Sequence, residues 1–205
     1  MEEICMLKKA VRREALRIAA AMDADYCRWA DAAIREAVFN LPAYRRARCI
    51  FCYVGTAREI NTMPIIESAL CEGKTVAVPL CVGKGEMQAK IIRSAGELRP
   101  GAYGILEPPA GNSELRAEEI DLALIPCLAG GIKGERIGFG GGFYDRYLIK
   151  TNCIKAMLCR GKMIRDDIPV EPHDLIMDMV ICENGVFNAP SFRYADPHRI
   201  NEISV

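Results

Sequence analysis

Cys49-Ile-Phe-Cys-Tyr-Val54 decides the fold. It is a short, unbroken apolar run, which marks a strand covered on both faces. The same texture returns at Thr75–Pro79, Met87–Ile92, Asp121–Pro126 (DLALIP), Ile154–Cys159 and Met177–Cys182. Helical patterns lie before and between these runs. Residues 3–21 place Ile4, Leu7, Val11, Ile18 and Met22 at helical spacing. A second helix, Asp25–Leu41, is expected to bury Trp29, Ala33 and Ala37 and to stop near Pro42. Thr62 reads as the cap of a further helix with Pro64 in its first turn and Gly73 at its end. Gly96–Gly111 reads as a loop, and a short helix spans Gly142–Lys150. Strands alternating with helices predict an α/β domain with a largely parallel sheet and N-terminal helices.

The 205 residues fit one domain spanning 1–205, with polar residues 188–205 as a surface tail. Lys plus Arg and Asp plus Glu number 27 each, and this balance argues against a dedicated nucleic-acid binder. No apolar run is long enough for a membrane span, and Met1–Leu16 is too charged for a secretory signal. The ten cysteines are scattered and several sit in apolar runs, as buried small hydrophobes do. Cys49 and Cys52 form the only CxxC, and positions three apart on a strand point to opposite faces. With only His173 and His198 to add, the set argues against structural zinc. The chain is expected in a reducing, cytoplasmic compartment, and as a monomer.

Chemistry concentrates in Glu135-Arg-Ile-Gly-Phe-Gly-Gly-Gly-Phe-Tyr-Asp-Arg146. Gly138, Gly140, Gly141 and Gly142 let successive N–H groups converge on an anion, and the following helix adds unpaired N–H groups. Glycine alone would better suit a flexible turn. Walker A is absent, and Phe143 fills the third glycine position of a Rossmann fingerprint. The loop holds no lysine, so cations must come from Arg136 and from Lys8, Lys9, Arg12 and Arg13 on the first helix. Lys8 and Arg12 share a helix face, which by itself also describes a solvated basic surface.

Arg136-Ile-Gly-Phe-Gly-Gly-Gly-Phe-Tyr-Asp145 resembles the glycine-rich signature of 5-formyltetrahydrofolate cyclo-ligases. Lys8-Lys9-x-x-Arg12, the stretch Tyr53–Thr62 with Glu59, and Pro172-His-Asp174 leading to Met177-Asp178 are similar to that family in order and spacing. The resemblance implies a three-layer α/β/α sandwich and a ligase that uses Mg2+ and ATP to convert 5-formyltetrahydrofolate to 5,10-methenyltetrahydrofolate, releasing ADP and phosphate. It assigns ATP to Lys8, Lys9, Arg12, Arg136, Gly138, Phe139, Gly140, Gly141, Gly142, Phe143 and Tyr144. It assigns the folate to Val54 and Glu59, bordered by Phe139 through Phe143, and magnesium to Asp145 and Asp178.

Elementary chemistry is consistent with these roles. Magnesium takes one or two carboxylates and fills its octahedron with water and phosphate oxygens. Asp145 could equally complement its own helix dipole, and Asp178 could be a buried ion-pair partner. Glu59 follows a strand's C-terminal end, and a carboxylate can accept two pterin N–H groups together. Gly141 stands where the family often carries lysine, and Phe143 replaces a tyrosine. Ala156-Met-Leu-Cys-Arg160 departs from the family's run. Two other classes stay open at this point: a sugar-phosphate or CoA-ester enzyme, and a nucleotide- or folate-binding regulator without turnover.

Overall fold

The computed structural model describes residues 2–190. Helices α1 (Glu2–Ala20), α2 (Ala24–Asn40) and α3 (Pro42–Arg46) come first, then β1 (Cys49–Cys52), α4 (Met63–Cys71) and the hairpin β2 (Thr75–Gly83) and β3 (Glu86–Ile92). A two-residue ribbon follows, β4 (Arg99–Pro100) with β5 (Leu106–Glu107), then β6 (Leu122–Pro126). A second ribbon, β7 (Ala129–Gly130) with β8 (Arg136–Ile137), leads into α5 (Phe143–Leu148). β9 (Ile154–Leu158), β10 (Met179–Cys182) and β11 (Gly185–Asn188) close the described chain.

The main sheet runs β11-β10-β9-β6-β1-β2-β3, with β10, β9, β6, β1 and β2 parallel. The antiparallel edge strands β3 and β11 are each the second half of a hairpin. β11 was not foreseen. Asn188, which opens the expected tail, is its last residue, and residues 191–205 lie outside the described residues.

Two-residue alternation divides each continuous run between two cores. Ile50, Cys52, Leu122, Leu124, Ala156, Leu158, Met179 and Ile181 pack under α2, α3 and α4. Phe51, Ala123, Ile125, Met157 and Val180 face the other way, against Val11 and Ala15 of α1 and Tyr147 and Leu148 of α5. The result is helices, sheet, helices: three layers, as the sequence predicts. Cys49 packs with the second core and Cys52 with the first, and all ten cysteines are free.

The helix faces need correction. α2 buries Ala30, Ile34 and Val38, one position on from the expected face, and leaves Trp29 57% exposed. Leu7 of α1 is also exposed, while Lys8, Val11 and Ala15 are buried. Thr62 does not cap α4 through its side chain. Its hydroxyl instead donates to Tyr53 O (2.6 Å) and accepts from Gly55 N (3.0 Å), fixing the chain that leaves β1. Asn61 Oδ1 takes the capping part by accepting from Met63 N.

The strand order places the site. From β1 the chain proceeds through α4 to β2 on one side, whereas β6 lies on β1's other side and leads through α5 to β9. α4 and α5 cover opposite faces. The loops leaving β1 and β6 therefore diverge, and open α/β sheets bind ligands in such a crevice at the strands' C-terminal ends.

Candidate active site

Loop 54–62 leaves β1 and turns back into α4. Glu59 is half-buried, and its Oε2 accepts from Thr56 N (3.1 Å) and Thr56 Oγ1 (2.8 Å), which fixes the carboxylate. Behind the loop stands Arg160, just past the end of β9 and 7% exposed. Its Nε and Nη2 pair with the two Asp31 oxygens at 2.8 and 3.0 Å. Its remaining donors reach Glu59 O (2.7 Å) and Arg58 O (3.3 Å). Burial pulls the guanidinium toward its neutral form, and Asp31 more than offsets this, so its pKa is raised. Arg160 is thus the fastener of the Glu59 loop. Sequence reading missed it, because its partner lies 129 residues away on α2.

Glu59 separates two hollows. One is a small, mostly apolar cavity between the ends of β1, β6 and β9, walled by Tyr53, Cys127, Leu128, Cys159 and Met163. The other is an open groove of about 580 Å³ along α2, bordered by Arg28, Arg35 and Thr56. Val54 faces neither, being buried in the core beneath α2–α4. Burial first, and the Glu59 carboxylate second, push the phenols of Tyr53 and Tyr144 well up. Both are therefore neutral hydrogen-bonding groups near neutral pH.

The glycine loop 138–142 lies between β8 and α5. Gly140 (φ +92°) and Gly142 (φ +66°) adopt backbone that side-chain-bearing residues rarely hold, the kind of conformation from which anion nests are built. Arg12 reaches the loop from α1, with Nε donating to Gly138 O at 2.8 Å. Arg136 lies beneath it, paired through Nη2 with Asp145 Oδ1 (2.8 Å) and set 5.7 Å from the centre of the Tyr144 ring. Phe143 packs into the core below α1, and Phe139 at the tip is 58% exposed. Arg12, Arg136, the glycines, Phe139, Phe143, Tyr144 and Asp145 are therefore gathered together, with Glu59 among the charges acting on Tyr144.

Other expected members are placed differently. Lys8 is buried and committed to Glu171 Oε2 (2.8 Å) and Asp174 Oδ2 (2.5 Å), tying α1 to the segment before β10. Lys9 is exposed. His173 joins Glu171 and Asp174 in a polar cluster, and the Lys8 ammonium is the cation seated there. Asp178 stands just before β10 at the N-terminal edge of the sheet, where its Oδ2 accepts from Lys155 N (2.8 Å). Asp145 is linked through Arg136 to Pro126 O at the C-terminal end of β6. The structure does not bring the two aspartates together.

The sequence model of the 5-formyltetrahydrofolate cyclo-ligase family matches residues 5–183, nearly the whole described chain. The chain belongs to this family. The cyclo-ligase of Saccharomyces cerevisiae is 29% identical over 204 residues, covering 87% of this chain and 96% of its own. That of Mycolicibacterium smegmatis is 32% identical, over 65% of this chain and 73% of its own. Among solved structures, Aquifex aeolicus 5,10-methenyltetrahydrofolate synthetase superposes with a TM-score of 0.81 at 24% identity, covering 91% of this chain and 95% of that one. That likeness supports the three-layer fold of this cyclo-ligase family member. Among its described residues no helix is long and apolar enough to cross a membrane.

Proposed function

We propose that this chain cyclises 5-formyltetrahydrofolate to 5,10-methenyltetrahydrofolate at the expense of ATP, yielding ADP and phosphate. One observation carries the reading: the positive-φ glycine loop, flanked by Arg12 and Arg136, is tied through Arg136 to the C-terminal end of β6, next to β1, whose C-terminal end leads into the Glu59 loop. Phosphate and a small heterocycle can meet there.

The formamide carbonyl of the substrate is a poor electrophile and its oxygen a poor leaving group. Transfer of the γ-phosphoryl group to that oxygen cures both faults. N10 then attacks the activated carbon and gives up its proton to solvent, and phosphate departs with the formyl oxygen. Residues 138–142 with Arg12 and Arg136 position the polyphosphate and meet the charge that develops on it. Lys9 lies on the same helix as Arg12, and Lys8 would join by exchanging its carboxylates for phosphate. Glu59, held by Thr56, accepts from pterin N–H groups, and Tyr53 and Tyr144 wall the heterocycle. Phe139 and Phe143 border it from the loop side.

Magnesium fits one carboxylate here better than two. Asp145 stands beside the glycine loop and would hold the ion together with phosphate oxygens, while Asp178 is engaged at the other edge of the sheet. A bound Mg2+ would neutralise phosphate charge. We read the described residues as one domain acting as a monomer on small molecules, with ten free thiols suited to the cytoplasm.

Turnover tests the proposal. Incubation with 5-formyltetrahydrofolate and Mg-ATP is expected to give the methenyl chromophore with one ADP per product. ATP binding without product would leave the non-catalytic regulator as the better reading, and product without ADP would exclude ATP coupling.

A further inference from the structure

Arg146 is absent from every role above. It lies one turn into α5, exposed, and its guanidinium spans two neighbouring loops. Nε donates to Gly85 O (2.8 Å) at the turn between β2 and β3, and Nη2 donates to Gly141 O. A Cβ at Gly85 would overlap the guanidinium, and one at Gly142 would come within 2.6 Å of Nη1. Absent side chains at two positions therefore make room for this one. Arg12 stands over the first half of the same loop, its Cζ 3.4 Å from where a Cβ on Gly140 would be.

Charge separates these two arginines from Arg136 and Lys8. Arg136 is neutralised by Asp145, and Lys8 by Glu171 and Asp174. Among the described residues, Arg12 and Arg146 have only backbone carbonyls as partners. A carbonyl leaves the guanidinium's full charge uncompensated, and a phosphate oxygen is the stronger, charge-assisted acceptor. No lysine lies within the loop to take that place.

We propose that Arg146 is a phosphate-positioning residue, forming with Arg12 a two-arginine clamp on the polyphosphate of a nucleoside triphosphate. Through Gly85 it also ties the β2–β3 turn to the rim of that site. The inference rests on the nucleotide reading above but concerns only how the polyphosphate is held.

The experiment compares Arg146→Ala, Arg146→Gln and Arg146→Lys with the unaltered protein, using calorimetry with inorganic tripolyphosphate and turnover kinetics. Ala and Gln are expected to weaken tripolyphosphate binding and raise the ATP KM at least tenfold, with the folate KM within twofold. Lys should recover most of the loss because it keeps the charge. Gln should not, although its amide, which extends only as far as Nε, can still donate to Gly85 O. The clamp is refuted if Ala and Gln bind tripolyphosphate as the unaltered protein does, or if that protein does not bind it. It is equally refuted if ATP and folate affinity fall together with thermal stability and Lys rescues neither. Arg146-dependent tripolyphosphate binding without folate turnover would sink the proposed function and leave the clamp standing. Normal turnover with an unchanged ATP KM in Arg146→Ala would sink the clamp alone.

Discussion

Arg160→Ala should cost about 3 kcal/mol of stability and at the same time loosen the folate side of the site. The side chains of Arg160 and Asp31 are 7% and 15% exposed. Removing one member of a buried pair costs ~3–5 kcal/mol, because the remaining charge loses its partner. Asp31 keeps some solvent and still accepts from Asn61 N (3.0 Å), so the lower end applies. In a chain of this size, ~3 kcal/mol lowers Tm by roughly 6–12 °C. Because Arg160 also holds the carbonyls of Arg58 and Glu59, 5-formyltetrahydrofolate binding should weaken at least tenfold, about 1.4 kcal/mol. Urea unfolding followed by circular dichroism gives the first quantity and calorimetry the second. Arg160→Lys should fall between, since an ammonium lacks the planar fork that engages both Asp31 oxygens. Asp31→Asn combined with Arg160→Ala should cost less than the two single losses added together. A loss below 1 kcal/mol, or unchanged folate affinity in a folded variant, would refute Arg160 as the fastener.

Hydrogen bonds and charge from Lys8 hold Asp174 and Glu171 below their ordinary values against the opposing effect of burial. Their contribution is present above about pH 4 and is lost as pH falls through the lowered values. Burial depresses Lys8, but the two acids outweigh it and raise its pKa, so that contribution fades only above roughly pH 10.4. Lys8→Met should flatten both limbs of a stability–pH curve, and an unchanged acid limb would contradict the pairing. Asp145→Asn should raise the magnesium needed for half-maximal turnover, whereas Asp178→Asn should leave it alone and cost ~1 kcal/mol through the Lys155 N–H. A magnesium effect from Asp178 alone would reverse that assignment. Glu59→Gln, which still accepts from Thr56, should raise the folate KM and spare that of ATP; parallel losses in titrations of both would point to a structural role.

The sheet was legible because burial on both faces writes itself into sequence as continuous apolar runs. Even the opposed orientations of Cys49 and Cys52 follow from a two-residue repeat. The face of α2 was not legible. Trp29-Ala33-Ala37 and Ala30-Ile34-Val38 share one helical spacing, and the bulk of Trp29 pointed to the wrong set. β11 is short with alternating exposure, so it lacks the apolar signal of a central strand. At the site, the glycine loop could be read because positive φ leaves few alternatives to glycine. Arg160 with Asp31, and Lys8 with Glu171 and Asp174, could not, since a basic residue gives no sign of a carboxylate more than a hundred positions away. The same limit applies to Asp178, whose aspartate label suits a metal ligand and a strand-end acceptor equally well.

In the proposed mechanism ATP activates the formyl oxygen of the folate within this crevice. Substrate carrying heavy oxygen in the formyl group, turned over with Mg-ATP, tests it through mass spectrometry of the released inorganic phosphate. If the γ-phosphoryl group is transferred to that oxygen and N10 then displaces it, each methenyl product formed releases one phosphate bearing the label. Methenyl product accompanied by unlabelled phosphate would contradict the claim, because the oxygen would then have left by another route.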